Sequence, residues 1–309
     1  MSFKNSAETS RERLLSRLAN AKAALGVTVG PGATWLLLLL LAPLLFLVAV
    51  SFTVTSESYA IIWEPTFANY DNLLFADSGP FWETPFVKSM LLSYFIAAVT
   101  TITTLVATFP VAYLLAKKSG RFFQVTIYLV LLPFFTVYIV RAYSWFLMFG
   151  SGGNINRILI AIGLLNEPIP LFNFGVGPIV VGLTHAYFPY MLLTLYASLD
   201  GLDFSLVEAA RDLGANRVGA FRDVVAPLVL PGIVSGSVFV FVPAVGAFLT
   251  PEFLAQGKVL MIGQLISKRV NTMYAVGYGS SAAMFIIISV VAAFALAFQY
   301  VSIEELGGA

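Results

Sequence analysis

The stretch EAARDLG, Glu208 to Gly214, is a charged, small-residue island in a chain that otherwise reads as membrane. A polar segment between two long apolar runs has to lie in water, and this one has the composition of a built contact surface. Ser205 and Glu208 have capping-box spacing, which predicts a helix starting here. Ala209 and Ala210 keep one helix surface low, so that another protein's surface can come close. Gly214 stands where a helix stops in a left-handed residue, a conformation that costs side-chain-bearing residues more. Asn216 is placed to cap a second short helix, whose apolar positions Val218, Phe221 and Val225 recur at helical spacing until Pro227 interrupts them. The expected unit is helix, sharp turn, helix on a water-facing loop.

Composition puts the rest of the chain in a bilayer. It is 59% hydrophobic and 11% charged, against about 25% charged in a typical soluble domain. A soluble fold could not cover that much apolar surface. Net charge is +1 and gives no reason to expect a nucleic-acid partner. With no cysteine, neither disulfides nor thiolate chemistry is available. The length suits one membrane domain without an appended soluble domain.

Six apolar runs, at 34–54, 87–116, 122–149, 177–199, 229–253 and 275–300, each reach the roughly 20 residues a crossing helix needs. The expected fold is an all-α, multi-pass integral membrane protein with six transmembrane helices over residues 34–300. Before them, residues 1–33 carry Lys4, Arg11, Arg13, Arg17 and Lys22. That segment reads either as an amphipathic helix on the membrane surface, with Leu14, Leu18, Ala21 and Leu25 on one face, or as a plain cytoplasmic tail. The first apolar run is long for a secretory signal, so it reads as an uncleaved anchor. With the N-terminus inside, the inner segments hold those five cations, then Lys117, Lys118 and Arg121, then Arg211, Arg217 and Arg222. The outer ones hold Lys88, Arg157, Lys258, Lys268 and Arg269. By the positive-inside rule both termini, including the tail 301–309, and the EAARDLG loop face the cytoplasm.

Outside, residues 55–86 present Glu57, Glu64, Asp71, Asp77 and Glu83 with Trp63 and Trp82. Residues 150–176 open with SGGNIN, where Asn154 or Asn156 is expected to cap a short helix. These loops read as docking surfaces for an external partner or as lids. Within the apolar runs, Gly232 and Gly236 form a small-xxx-small pair that lets a neighbouring helix approach closely. Pro243 and Gly246 interrupt the same run, which reads either as a border of a substrate path, as in many transporters, or as a plain proline kink. Ionisable groups at membrane depth are Arg141, His185 and Glu252. The lone His185 reads as a packed, hydrogen-bonded residue. Phe134, Tyr138, Arg141 and Trp145 fall on one helix face, as do Phe241, Ala244, Val245, Phe248 and Glu252. Both stripes read as aromatic pathway walls, in which Tyr138, Arg141, Trp145, Phe241, Phe248 and Glu252 are the substrate candidates, or as helix packing. Glu252 is a counter-charge for a cationic solute or the partner of Arg141. An aromatic face attracts an ammonium group by about 0.5–2 kcal/mol, enough to guide a cation without trapping it.

The segment EAARDLGANRVGAFRDVVAP resembles the EAA loop of permease subunits of ABC importers. Glu208, Ala209, Ala210, Gly214 and Pro227 match that pattern, Val224 replaces its Ile, and Ala226 replaces its Leu. Ala226 weakens the packing expected where the loop ends. The resemblance runs from about residue 34 to residue 300 and is closest to the spermidine/putrescine type, through VRAYSW at Val140–Trp145, GNIN at Gly153–Asn156 and EAARDLGA itself. It implies a type I importer permease fold in the bacterial inner membrane. In that fold Glu208, Ala209, Ala210, Arg211, Asp212, Leu213 and Gly214 form the coupling loop for an ATPase subunit pair on the cytoplasmic face. A second permease subunit, expected to be a different chain, and an extracytoplasmic solute-binding protein complete the system.

No G-x-x-x-x-G-K-[ST] occurs, since Gly257 and Lys258 are followed by Val259 without the earlier glycine. The expectation is therefore that ATP and Mg belong to the ATPase chains. No catalytic residue, metal or cofactor is assigned to this one. An ion-coupled secondary carrier is the competing class, and it would want buried carboxylates, which are scarce here. An intramembrane enzyme would want H-E-x-x-H or a histidine triad. Within the importer class, another small polar solute, such as an amino acid derivative or opine-like compound, is the alternative cargo.

Overall fold

A computed structural model describes residues 30–55, 61–75, 80–118 and 121–300. The proposed N-terminal amphipathic helix, the tail 301–309, Glu57 and Asp77 lie outside the described residues. Helix α1 (Gly30–Ser51) is apolar all round and exposed along most of its length, as lipid contact requires. The short antiparallel pair β1 (Val54–Thr55) and β2 (Ile61–Ile62) follows. Then comes α2 (Ala68–Phe75), whose Asn69 amide donates to the Ser51 and Thr53 carbonyls at 3.0 and 2.8 Å. Those bonds satisfy carbonyls that the end of α1 leaves open.

Helix α3 (Pro85–Lys117) starts with proline in its first turn behind a Thr84 cap, which accepts from the Val87 amide. Its buried face carries Ile96, Ala97, Thr100, Thr104, Thr108, Ala112 and Leu115, at three- and four-residue steps. This face meets α7 (Val176–Asp200), and α11 (Leu230–Val245) packs against both. The three helices form the centre of the fold. Gly232 and Gly236 make the approach of α11 to α7 possible, as their spacing predicts. A Cβ on Gly232 would lie 2.7 Å from Ser198 Cβ and 2.9 Å from the Thr194 carbonyl oxygen, and one on Gly236 would lie 2.6 Å from Met191 Sδ.

Two of the expected spans are not straight. The run at 122–149 is α4 (Arg121–Leu131), a 3₁₀ turn at Leu132–Phe135, and α5 (Tyr138–Met148). The bend between its halves is 92°. Pro133 sits in that turn, without an N–H to continue the helix, and Thr136 and Val137 are extended. Arg141 therefore lies past the bend, on α5 rather than on a continuous helix. After α6 (Asn154–Ala161) and α7, the chain passes through α8 (Phe204–Asp212), α9 (Arg217–Ala220), a π turn at Phe221–Val225 and α10 (Ala226–Leu228). It bends by 71° into α11. The run at 229–253 is also not one helix, because α11 ends at Val245. Past Gly246, the separate helix α12 (Leu249–Ala255) packs on α5 and α7. Helices α13 (Ile262–Asn271) and α14 (Val276–Tyr300) complete the described chain.

Among the described residues, four helices are long and apolar enough to cross a membrane alone: α1, α3, α7 and α14. Two bent pairs also pass that test when each is taken together.

Gly232→Val is expected to push α11 off α7 and to cost about 1–3 kcal/mol, the range for overpacking. Gly246→Ala, where a Cβ meets nothing within 4 Å, serves as the control. Thermal unfolding of the detergent-solubilised protein checks both, and an unchanged midpoint for Gly232→Val would contradict the close approach.

Candidate functional site

The hairpin α8–α9 is built as its sequence predicts at the turn and differently at the start. Helix α8 begins at Phe204, and Asp203 is its cap, accepting from the Ser205 amide at 2.9 Å. The Ser205–Glu208 box is not formed, because Ser205 already lies inside the helix. At the other end Gly214 has φ +96°. Gly214 N–H donates to the Arg211 carbonyl and Ala215 N–H to the Ala210 carbonyl, both at 3.0 Å. That bond pair is a Schellman motif, so Gly214 performs the stop its position predicts. Asn216 caps α9 by accepting from the Gly219 amide at 2.8 Å.

The faces of the hairpin sort its residues. Val207 and Ala210 pack inward, while Glu208, Ala209, Arg211, Asp212 and Gly214 are exposed. Leu213 is 90% exposed and Val218 72%, with Leu206 at 47% on the same side of α8 as Ala209. Of the helically spaced apolar positions Val218, Phe221 and Val225, only Val225 is buried, at 2%. The π turn holds one more residue per turn than an α-helix, so the 3.6-residue period does not carry across it. Leu206, Leu213 and Val218 are thus exposed apolar side chains on a hairpin whose charged residues are exposed as well. Sequence reasoning missed Leu206 and Val218 as surface. The available signal was large apolar side chains inside a loop that must face water.

Behind the hairpin, between α8, α9 and the end of α3, lies a cleft of about 560 Å³. Phe109, Phe204 and Phe221 line it together with Lys117, Arg211 and Arg217.

The aromatic stripe on the third apolar run holds together in spite of its bend. The Arg141 guanidinium lies 4.7 Å from the Phe134 ring centre and 5.6 Å from that of Tyr138. Tyr138 and Thr250 of α12 share a 2.6 Å hydrogen bond. Trp145 stacks on Phe149 at 5.3 Å and meets His185 of α7 edge-on at 5.6 Å, and His185 stacks on Phe134 at 5.6 Å. Arg141 Nε and Nη1 and His185 Nδ1 are buried without a hydrogen-bond partner among the described residues. His185 is therefore packed as expected but not hydrogen-bonded at that nitrogen.

The second stripe does not exist as a face, since the helix stops between Val245 and Phe248. Phe241 points toward Tyr94 and Phe294, at 5.9 and 6.3 Å, and Phe248 is exposed. Glu252 accepts from the Gln264 amide at 3.0 Å. It does not pair with Arg141, because the ion pair found among the described residues is the exposed Arg222–Asp223 contact. The SGGNIN loop likewise departs from its expected caps, as Gly153 precedes α6 with no side-chain cap. Asn156 is buried instead, donating to the Gly150 carbonyl at 2.8 Å and accepting from the Ile169 amide at 3.0 Å, which staples the loop shut.

A family model described as "binding-protein-dependent transport system inner membrane component" matches residues 32–304. The chain belongs to that family. It is a membrane component of a transport system. Among relatives of this importer family, the spermidine/putrescine transport system permease protein PotB of Haemophilus influenzae is 34% identical over 240 residues, 78% of this chain and 81% of that one. Among solved structures, a chain from a bacterial ABC transporter involved in import of the acidic polysaccharide alginate matches with TM-score 0.64. It has 14% identity and covers 93% of this chain and 99% of that one. A second, from a bacterial alginate ABC transporter in complex with an alginate pentasaccharide-bound periplasmic protein, has TM-score 0.58 and 15% identity, covering 92% and 93%. Those likenesses are to the fold of ABC importer membrane chains, with two of the expected spans bent.

The Asp203 carboxyl titrates below its usual range because the Ser205 backbone N–H, and then its side chain, hydrogen-bond to it. Since folding lowers this pKa, the contribution of the cap is complete above the unfolded value, about 3.9, and is lost as the pH falls through the lowered one. Amide-exchange protection factors at the start of α8 are expected to fall on acidification past that point. Asp203→Asn, an equally good cap without a proton to bind, is expected to remove the dependence.

Proposed function

We propose that the chain is the membrane-spanning permease subunit of an ATP-driven, binding-protein-dependent importer, lining the path of a small organic cation such as spermidine or putrescine. The observation that carries this reading is the α8–α9 hairpin, an exposed apolar tip on a helix–Schellman–helix unit in a member of this family. An ATPase pair, which binds ATP and Mg, docks on that tip from the cytoplasm. Its partner across the path is a second permease subunit of different sequence, and a solute-binding protein delivers cargo from outside. The chain then crosses the bacterial inner membrane six times, each bent pair of helices counting once, with both termini inside. The basic residues Lys117, Lys118, Arg121, Arg211, Arg217 and Arg222 on the hairpin side support that orientation. The polyamine cargo is supported by the likeness to the H. influenzae permease and by the aromatic group of Phe134, Tyr138 and Trp145. Tyr138, Arg141 and Trp145 remain the pathway residues of this reading. Phe241, Phe248 and Glu252 enter it only where conformational change or the partner permease brings them to the same wall.

A second reading is favoured by one observation, the buried and unpaired nitrogens of Arg141. They suit a solute that brings a carboxylate, such as an amino acid derivative or opine-like compound. Mass spectrometry of the solute retained by the copurified binding protein decides between the two cargoes.

Coupling is tested at Gly214. A Cβ there meets nothing within 4 Å, so the cost of a side chain is backbone strain, about 1–2 kcal/mol. Gly214→Leu is expected to insert normally and to leave ATP hydrolysis unlinked from uptake in the reconstituted complex. Normal transport by this variant would remove the hairpin from the docking role.

For the path, Trp145→Ala is expected to slow uptake at unchanged ATPase coupling, with Glu252→Gln as the companion variant. Wild-type uptake by both would overturn the pathway assignment.

A further inference from the structure

The cleft behind the hairpin is a different surface from its tip. Leu213 and Val218 point away from the helix bundle, whereas the cleft opens between α8, α9 and the last turns of α3, a helix long and apolar enough to cross the membrane. Leu206, Leu213 and Val218 do not line the cleft, whereas Glu208 and Arg211 of the exposed hairpin do. Its lining combines aromatic and cationic side chains. Phe109 and Phe221, in edge-to-face contact at 5.2 Å, and Pro110 supply apolar surface. Lys117, Arg211 and Arg217, all exposed, also line it, with Glu208 as the single carboxylate in the lining.

These cations are not neutralised within the chain. Among the described residues none of the three has a carboxylate within 4.0 Å. Lys117 Nζ is instead held over the rings of Tyr113 and Phe204, at 4.9 and 5.1 Å, which fixes its position and leaves its charge unpaired. A lining of cations and aromatic rings, at the end of a membrane helix, matches an amphiphile whose anionic head lies at the bilayer surface. Clusters of basic residues between helices at the cytoplasmic rim recognise acidic lipid head groups in this way.

We propose that this cleft binds an anionic phospholipid. Its phosphate is held by Lys117, Arg211 and Arg217, and an acyl chain runs along Phe109 and Phe221. The bound lipid sits between α3 and the hairpin, so it sets how firmly the hairpin rests on the span. The cytoplasmic placement of the site rests on the orientation proposed above.

The test uses the complete complex, purified with its partner subunits and equilibrated with mixed phosphatidylethanolamine and phosphatidylglycerol vesicles before gentle release. Native mass spectrometry then reads the lipid retained. The wild type is expected to keep phosphatidylglycerol in preference to phosphatidylethanolamine. Lys117→Gln and Arg217→Gln are each expected to weaken retention about five-fold, the worth of one basic residue near the surface, and Lys117→Arg to keep it. Equal retention by the wild type and the Lys117→Gln, Arg217→Gln double variant would overturn the proposal. So would displacement of the lipid by inorganic phosphate, which would make this a site for a soluble anion. Thermal unfolding at the wild-type midpoint shows that the variants are folded. If a glutamine variant does not fold, the wild-type and Lys117→Arg lipid preference and the phosphate arm decide alone. A single cysteine at Asn216 reports separately which side of the membrane the hairpin faces. Labelling from outside would sink the orientation while leaving the lipid result to stand or fall by itself.

Discussion

The arrangement of α3, α7 and α11 depends on two missing side chains. In a bilayer, helices gain nothing from leaving water, so their association rests on close van der Waals contact and on the few polar groups that can pair. Gly232 and Gly236 bring α11 within contact of the Thr194 carbonyl and of Met191 on α7. The facing surface of α3 is rich in threonine, small enough for close packing and able to return its hydroxyl to its own backbone, as Thr104 does to the Thr100 carbonyl at 2.6 Å. Thr103 and Thr184 add a direct bond between α3 and α7 at 2.8 Å. Everything that carries function hangs on this trio, with the hairpin leaving the end of α7 and entering the start of α11, and the aromatic group lying against α7.

Local chemistry was legible in the sequence wherever a single residue decides a local conformation. Gly214 stops α8 because its position demands φ above zero, and Asn216 caps α9 because its side chain reaches an amide three residues on. Lipid-exposed runs such as α1 were legible because a length of apolar side chains is enough to define them. What periodicity could not give was direction. Pro133 marks a place where a helix breaks, but the 92° change of course also depends on α5 finding α12 and α7 as neighbours. The choice of Asp203 over Ser205 as cap is similar: both residues can accept, and the register of α8 against the core through Val207 and Ala210 selects between them.

The two aromatic stripes show the same limit at the candidate path. The first survives its interruption because Phe134 and Arg141 are rejoined across the bend by a cation-over-ring contact and by His185, which comes from a different helix. The second reads equally well as a repeat but spans Gly246, after which the chain takes another direction and Glu252 turns to Gln264. A pattern of spacings holds only as long as one axis does.

The 71° bend between the hairpin segment and α11 has a mechanical consequence. Val229, at its corner, is fully buried, and it is tied on both sides, its amide to the Val225 carbonyl and its carbonyl to the Ile233 amide. The corner is therefore an elbow rather than a slack connection. A sideways push on the exposed tip reaches the membrane helix as a torque about Val229, and the helix that receives it is the one pressed by its glycines against α7.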